Sequence, residues 1–219
     1  MFSKNSYNFL QTLKNNNNRE WFAENKQWYE QSRSDFESLV AQVIQALSSF
    51  DAEMKYLEPK KCIFRIYRDT RFSPDKTPYK THFGAVFTPA RLTKSSGYYL
   101  HIDPEGSFLT CGHYMLPPDQ LKVMRRGIYE DYKTLREILD DKQFKEIIGD
   151  FYRDDDMLQR VPNGFDKDHP AAEYMKLKHF YVQKELSERE LFSDDFIKFA
   201  VNIYKMMKPL GNYLNELID

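Results

Sequence analysis

Arginines, lysines and aspartates are concentrated in one sixteen-residue segment, RIYRDTRFSPDKTPYK, which runs from Arg65 to Lys80. The planar arginine side chain binds carboxylate or phosphate groups through two parallel hydrogen bonds, and lysine adds a compact positive charge. Three arginines and two lysines in so short a stretch need acceptors, which either the chain or a ligand must supply. The segment therefore predicts a site for a small anionic ligand that bears a phosphate. The residues expected to line this site are Arg65, Arg68, Asp69, Arg71, Asp75, Lys76, Tyr79 and Lys80.

A second interpretation of the same segment needs no ligand. Asp69 and Asp75 would hold the arginines in an internal network of salt bridges, and the segment would then be an architectural part of a non-enzymatic interaction or scaffold protein. In an enzymatic version of the first interpretation, Arg65, Arg68 and Arg71 would stabilise developing negative charge, and one aspartate would act as a base or orient a reactant. Nothing in the sequence identifies a nucleophile, so no particular reaction follows.

The histidines suggest a different chemistry. His101 and His113 lie on neighbouring predicted strands, and with Asp103 and the later pair Asp168-His169 they would suit a metal or an acid–base site. However, the spacing matches neither H-x-H nor H-E-x-x-H. We therefore expect ordinary strand histidines, with no bound metal and no cofactor.

Aromatic residues near the start of the chain raise the question of nucleic-acid binding. Trp21, Phe22, Trp28 and Tyr29 would stack on the bases of a single strand beside a basic groove, but their helical spacing favours core packing instead. The chain has 32 basic and 33 acidic residues and a net charge of −1. Because double-stranded DNA binders usually carry a clear positive excess, this balance argues against that class.

The elements that must position these residues change from helical to extended and back along the chain. A short helix is predicted around residues 9–13, and a long one over residues 22–47, with an N-cap at Asn17 and a break near residues 32–34. Alternating apolar residues then predict antiparallel strands over residues 62–67, 83–87, 98–103, 107–114 and 178–186. Helices return after Pro118 and over residues 144–151. A capping box at Ser187 and Glu190 precedes a last helix, which Pro209 is expected to interrupt.

Composition places the chain among folded proteins of one domain. With 219 residues, 17 Phe and 15 Tyr, it has enough apolar material for a sizeable core. We expect a single α+β domain over residues 1–219, with a mainly antiparallel sheet of about five strands flanked by N- and C-terminal helices. The chain has two cysteines without metal-binding spacing, no signal-peptide pattern and no long apolar run, which indicates a cytoplasmic protein without a membrane segment.

The central motif also resembles a known family. R-x-x-R-D-x-R-F followed by D-K-x-x-Y is matched between Arg65 and Tyr79, and further blocks match at residues 17–22, 97–102 and 162–170. On these blocks the sequence is similar to a bacterial family of conserved hypothetical proteins, domain-of-unknown-function family 2461. The resemblance extends over nearly the whole chain. It implies one intact domain and brings no activity with it.

Overall fold

The computed structural model describes residues 2–88 and 96–218, in which helices flank a small sheet. The N-terminal part contains α1 (Lys4–Asn15), α2 (Arg19–Glu24), α3 (Lys26–Leu47), a 3₁₀ helix (Ala52–Tyr56) and α4 (Pro59–Cys62). The first three strands are β1 (Phe83–Phe87), β2 (Gly97–Ile102) and β3 (Ser107–His113). Next come α5 (Pro118–Glu130), α6 (Tyr132–Leu139), α7 (Lys142–Ile147), α8 (Ala172–Met175) and β4 (Phe180–Leu186). The chain continues with α9 (Glu188–Leu191) and α10 (Phe196–Glu216).

The described strands form one open antiparallel sheet in the order β1-β2-β3-β4, so the predicted α+β class is confirmed. The sheet has four strands rather than about five, because the strand predicted over residues 62–67 is absent. Ile63 pairs with Ala85, and Tyr67 pairs with Tyr79, each as an isolated antiparallel bridge. The two bridges are four residues apart along one segment, from Ile63 to Tyr67, and six residues apart along the other, from Tyr79 to Ala85. A regular ladder needs equal steps on both sides, so this segment bulges away instead of joining the sheet.

The chain divides into two compact units, each assembled from separate stretches of sequence. The first contains Met1–Pro89, Tyr99–Leu109 and Glu185–Asn202, and the second contains Ala90–Tyr98, Thr110–Lys184 and Ile203–Asp219. The boundaries fall inside β2, β3, β4 and α10. The single domain expected over residues 1–219 stays a prediction.

In the first unit, an aromatic core lies on one face of the sheet. Phe83 of β1 stacks on Phe36 of α3 with ring centres 5.2 Å apart, and Phe2 meets both rings edge-on. Alternate residues of β2 are buried, and those between them are only partly covered. Because successive side chains of a strand point to opposite faces, Tyr99 and His101 lie on the face away from this core.

The start of the long predicted helix differs from expectation in two places. Asn18, not Asn17, caps α2, and its side chain accepts a hydrogen bond from the Trp21 N–H at 2.9 Å. Asn17 instead bonds to the main-chain oxygen and nitrogen of Tyr79, at 2.9 and 3.1 Å. The helix breaks at Asn25, between α2 and α3, and runs without interruption through residues 32–34. A long-range contact therefore overrides the local capping signal at Asn17.

The predicted interruption of the last helix at Pro209 is wrong, because α10 continues through it to Glu216. Proline removes one main-chain hydrogen bond from the helix, which destabilises it locally. Burial of the apolar side chains after the proline opposes that loss. The buried side chains that follow Pro209 are Leu210, Tyr213 and Leu214.

Two further expectations concern the helices. Ser187 and Glu190 form the predicted capping box at the start of α9, with both reciprocal hydrogen bonds present. Within the described part of the chain, no helix combines the length and the apolar character needed to cross a bilayer.

Candidate functional site

The structure places Arg68 in a local network that holds the Arg65–Lys80 segment together. Its guanidinium pairs with the Asp75 carboxylate and donates to the Thr77 hydroxyl. Asp75 also accepts the Thr77 N–H at 2.9 Å. These contacts, first the Thr77 N–H and then Arg68, lower the pKa of Asp75 to about 2. The Arg68 side chain is 25% exposed. Its pairing with Asp75 therefore helps to hold the segment in its folded conformation.

Arg71 is also paired within the segment. Its Nε lies 2.9 Å from Asp69 Oδ1 and its Nη2 lies 2.7 Å from Oδ2, which is a two-point contact. The hydrogen bonds from Arg71 lower the pKa of Asp69, and the contact raises the pKa of Arg71. Lys76 Nζ donates to the Thr70 carbonyl at 2.8 Å. The structure thus brings together much of the internal network that was one of the two interpretations of this sequence.

Tyr79 lies in the core of the first unit. Its ring stacks on Phe22 with centres 3.9 Å apart, and burial raises the pKa of its hydroxyl. Phe22 in turn contacts Tyr29 at 5.0 Å, and Trp28 contacts Phe9 at 5.6 Å. The aromatic residues near the start of the chain therefore pack on one another, as their helical spacing predicted.

Arg65 and Lys80 differ from the other cations of the segment. Among the residues that the structure describes, neither has a carboxylate within salt-bridge distance. Lys80 Nζ lies 5.1 Å from the centre of the Phe64 ring, which is itself 46% exposed. Burial, together with the positive charge of Arg65, lowers the pKa of Lys80. Within residues 2–88 and 96–218, these are the two cations of the segment for which no carboxylate or main-chain oxygen partner is seen.

A second group of polar residues lies in the first unit, on the sheet face away from its aromatic core. His82 immediately precedes β1, His101 belongs to β2, and Asp103 follows the end of β2. Asp103 Oδ2 lies 3.7 Å from His101 Nε2 and 3.9 Å from His82 Nδ1, and the two imidazole centres are 4.3 Å apart. Sequence reasoning found His101 and Asp103 but missed His82. The alternation of β1 would have placed His82 on the same face as Gly84, but nothing local indicated the strand partner opposite it.

The other histidines considered from the sequence have separate partners. His113 Nε2 lies 3.2 Å from Asn215 Oδ1. The His169 ring stacks on Tyr129 with centres 4.0 Å apart, and its Nδ1 accepts the Ala171 N–H. His101 itself contacts His82, with the two imidazole centres 4.3 Å apart.

Neighbouring side chains fix the orientation of His101. Tyr99 Oη lies 2.9 Å from His101 Nδ1, and the Phe108 ring stacks on the imidazole at 4.4 Å and 7°. Gly84 makes room for this arrangement, because a Cβ at residue 84 would lie only 2.4 Å from Tyr99 Oη. The Tyr99 hydroxyl and the Phe108 ring thus hold the imidazole, and its Nε2 lies 3.7 Å from Asp103 Oδ2.

The electrostatics of the cluster follow from its partial burial. Burial, reinforced by His101 and Lys80, lowers the pKa of His82 to about 4, although Asp103 opposes the shift. Burial works to raise the pKa of Asp103, but the interaction with His101 and the hydrogen bond from the Glu105 N–H outweigh it, and the pKa is lowered. At neutral pH the cluster therefore contains an ionised carboxylate beside the neutral imidazole of His82.

Comparison with known proteins bears on the chain as a whole. The model of a family described as conserved hypothetical protein (DUF2461) matches residues 5–213 of the 219. The chain belongs to this family. The DUF2461 match includes both the Arg65–Lys80 segment and the cluster around His101. No curated protein and no solved structure gives a significant match. The DUF2461 description states no activity, so function has to be argued from these side chains.

Proposed function

We propose that this DUF2461 protein binds a small phosphate-bearing ligand through Arg65 and Lys80, in the cytoplasm. The observation that carries the proposal is the division of the cations within one segment. Arg68 and Arg71 have their own carboxylates, and Lys76 has a carbonyl. Arg65 and Lys80 have no carboxylate at salt-bridge distance in the described part of the chain.

The position of the two cations suits a dianion. Two positive charges near one another destabilise each other, and the lowered pKa of Lys80 reflects this together with its burial. A bound phosphate would remove the repulsion, with the Arg65 guanidinium making a two-point contact and Lys80 a single charged one. The exposed ring of Phe64, under Lys80 Nζ, would add contact area for an organic group attached to the phosphate.

The expected strength follows from the number of contacts. Hydrogen bonds to charged groups contribute about 1.5–3 kcal/mol each, so two such groups give roughly 3–6 kcal/mol. That range corresponds to dissociation constants from several millimolar down to tens of micromolar. Inorganic phosphate should therefore bind weakly, and an aromatic phosphomonoester more tightly, because the latter also covers Phe64.

The interpretation of the segment as an internal network applies to Arg68 and Arg71, whose partners are Asp75 and Asp69. The Arg71–Asp69 pair is exposed, and such pairs contribute little to stability. A purely architectural segment would leave Arg65 and Lys80 without any function, and it predicts no saturable phosphate binding.

Calorimetric titration with inorganic phosphate and with phenyl phosphate tests the proposal. We expect Arg65→Gln and Lys80→Gln each to weaken binding by about 10- to 150-fold, from the loss of one charged contact. Arg71→Gln is the matched control, since it removes a cation from the same segment, and its affinity should stay within about twofold. Absence of saturable binding, or equal weakening by all three substitutions, would overturn the proposal.

A single-stranded oligonucleotide serves as a further probe of the same proteins. A groove that tracks a nucleic-acid backbone predicts affinity that falls steeply with salt concentration. The phosphate-ligand proposal predicts no appreciable binding of the oligonucleotide. Strong salt-dependent binding of the oligonucleotide would therefore replace the small ligand with nucleic acid.

A further inference from the structure

Three side chains of the first unit present ligand atoms toward one point. One ring nitrogen of His82, one ring nitrogen of His101 and a carboxylate oxygen of Asp103 all lie within 4.8 Å of one another. The Asp103 oxygen is 3.7 Å from His101 Nε2 and 3.9 Å from His82 Nδ1. Ligands bound tetrahedrally at about 2.1 Å from a metal lie roughly 3.4 Å apart. The two distances to Asp103 exceed this value by about 0.3 and 0.5 Å. The separation of the two ring nitrogens, which is at most 4.8 Å, exceeds it by up to about 1.4 Å, so modest side-chain rotations would bring the three groups to bonding distance.

We propose that His82, His101 and Asp103 bind a divalent transition-metal ion, with Zn²⁺ as the best fit. Imidazole nitrogens favour zinc, iron, nickel or copper, whereas Mg²⁺ and Ca²⁺ take oxygen ligands. Three protein ligands leave at least one position open, as at catalytic rather than structural zinc sites. The inference goes beyond the proposed anion site, because it uses none of the residues of that site.

The surroundings of Asp103 and His101 orient them as metal ligands require. Asp103 Oδ1 accepts the Glu105 N–H at 2.9 Å, which directs the other carboxylate oxygen, Oδ2, toward the histidines. His101 Nδ1 is 2.9 Å from Tyr99 Oη. A hydroxyl can accept a hydrogen bond as well as donate one, so His101 can carry its proton on Nδ1 and offer the Nε2 lone pair to a metal.

A second group of potential metal ligands in the described residues also meets the 4.8 Å limit, but its histidine has no lone pair available for a metal. Asp154, Asp156 and His179 also lie within 4.8 Å, in the second unit. There His179 Nδ1 accepts the Met115 N–H at 3.0 Å. An amide N–H can only donate, so the neutral ring must carry its proton on Nε2, the atom that faces Asp156 at 3.5 Å. With no lone pair directed at the carboxylates, this group serves as the internal control.

Zinc titration of the full chain tests the proposal, after chelator treatment and in phosphate-free buffer, by calorimetry. We expect one ion per chain, and weakening of more than about 100-fold in His101→Gln and Asp103→Asn, since loss of a ligand exceeds the loss of an outer partner. Tyr99→Phe should weaken binding by about tenfold, because it keeps all three ligands and removes the partner of His101 Nδ1. His179→Gln should leave the affinity within about twofold, since that residue belongs to the control group.

Co²⁺ provides a spectroscopic check on ligand identity and on folding. The visible absorption of bound Co²⁺ should appear in the native protein and in His179→Gln, and it should be lost in His101→Gln. Circular dichroism identifies any variant that fails to fold, and Tyr99→Phe, which keeps all three ligands, then provides the deciding measurement. Zinc affinity that is unchanged in His101→Gln, or that falls in His179→Gln instead, would overturn the proposal. Lys80→Gln should retain zinc binding, so failure of the anion proposal is distinguishable from failure of this one.

Discussion

Gly84 is the position at which a single methyl group should disturb the candidate metal cluster most directly. In Gly84→Ala the new Cβ would lie 2.4 Å from Tyr99 Oη and 3.1 Å from two carbons of the same ring. Ordinary contacts need about 3.5 Å, so the hydroxyl must move by roughly 1 Å. That movement breaks the 2.9 Å contact with His101 Nδ1.

The expected free-energy change combines three effects. Overpacking of a well-filled site costs about 1–3 kcal/mol, and loss of the hydrogen bond costs about 1 kcal/mol. Replacing glycine by alanine in a strand returns about 0.5–1 kcal/mol, because it reduces the freedom of the unfolded chain. Gly84→Ala should therefore lower the free energy of unfolding by about 1–3 kcal/mol.

Urea unfolding in a double-mutant cycle tests this reasoning. In the Tyr99→Phe background the hydroxyl is absent, so only the 3.1 Å carbon contacts remain and Gly84→Ala should cost less than about 1 kcal/mol. Gly106→Ala is the matched control, since a Cβ there meets nothing within 4 Å. If Gly84→Ala costs the same with and without the Tyr99 hydroxyl, the clash does not control the position of that side chain and the reasoning is refuted.

Two further predictions concern buried positions. Gly112→Ala should lower the free energy of unfolding by more than about 3 kcal/mol, because a Cβ at its φ of +138° would lie 2.2 Å from the Phe180 carbonyl oxygen. Urea unfolding within about 0.5 kcal/mol of the native protein, the result expected for Gly106→Ala, would contradict it. Burial raises the pKa of the Cys62 thiol to about 11 from its ordinary 9.0, so alkylation at pH 8 should be about 100-fold slower than for an unperturbed thiol. Peptide mapping separates Cys62 from Cys111, and labelling of native Cys62 at the rate of the urea-unfolded chain would refute the prediction.

Strand positions were predictable where the pattern is local. Alternation of apolar residues located β1, β2, β3 and β4 because side chains of a strand point to opposite faces, whatever the strand partner is. The same alternation in residues 62–67 failed, since a strand also needs a partner with matching register. The two bridges at Ile63 and Tyr67 are out of register by two residues, which the pattern of a single segment does not reveal.

The sequence also showed where charged residues are concentrated, but it did not show which residue forms an ion pair with which. The sequence indicated that the segment beginning at Arg65 needs many acceptors. The loop conformation decides that Arg68 pairs with Asp75 and Arg71 with Asp69, and leaves Arg65 and Lys80 without such carboxylates in the described residues.

What the amino-acid order determined by itself is therefore the class of fold, most of the strands and the place where cations accumulate. These properties depend on the near neighbours of each residue along the chain. Only the tertiary structure brought His82 to within 4.3 Å of His101, ring centre to ring centre, across nineteen positions of sequence. The physical reason is that antiparallel pairing and the turn after β2 bring distant residues together. His82 therefore has no spacing along the chain that would indicate its grouping with His101 and Asp103.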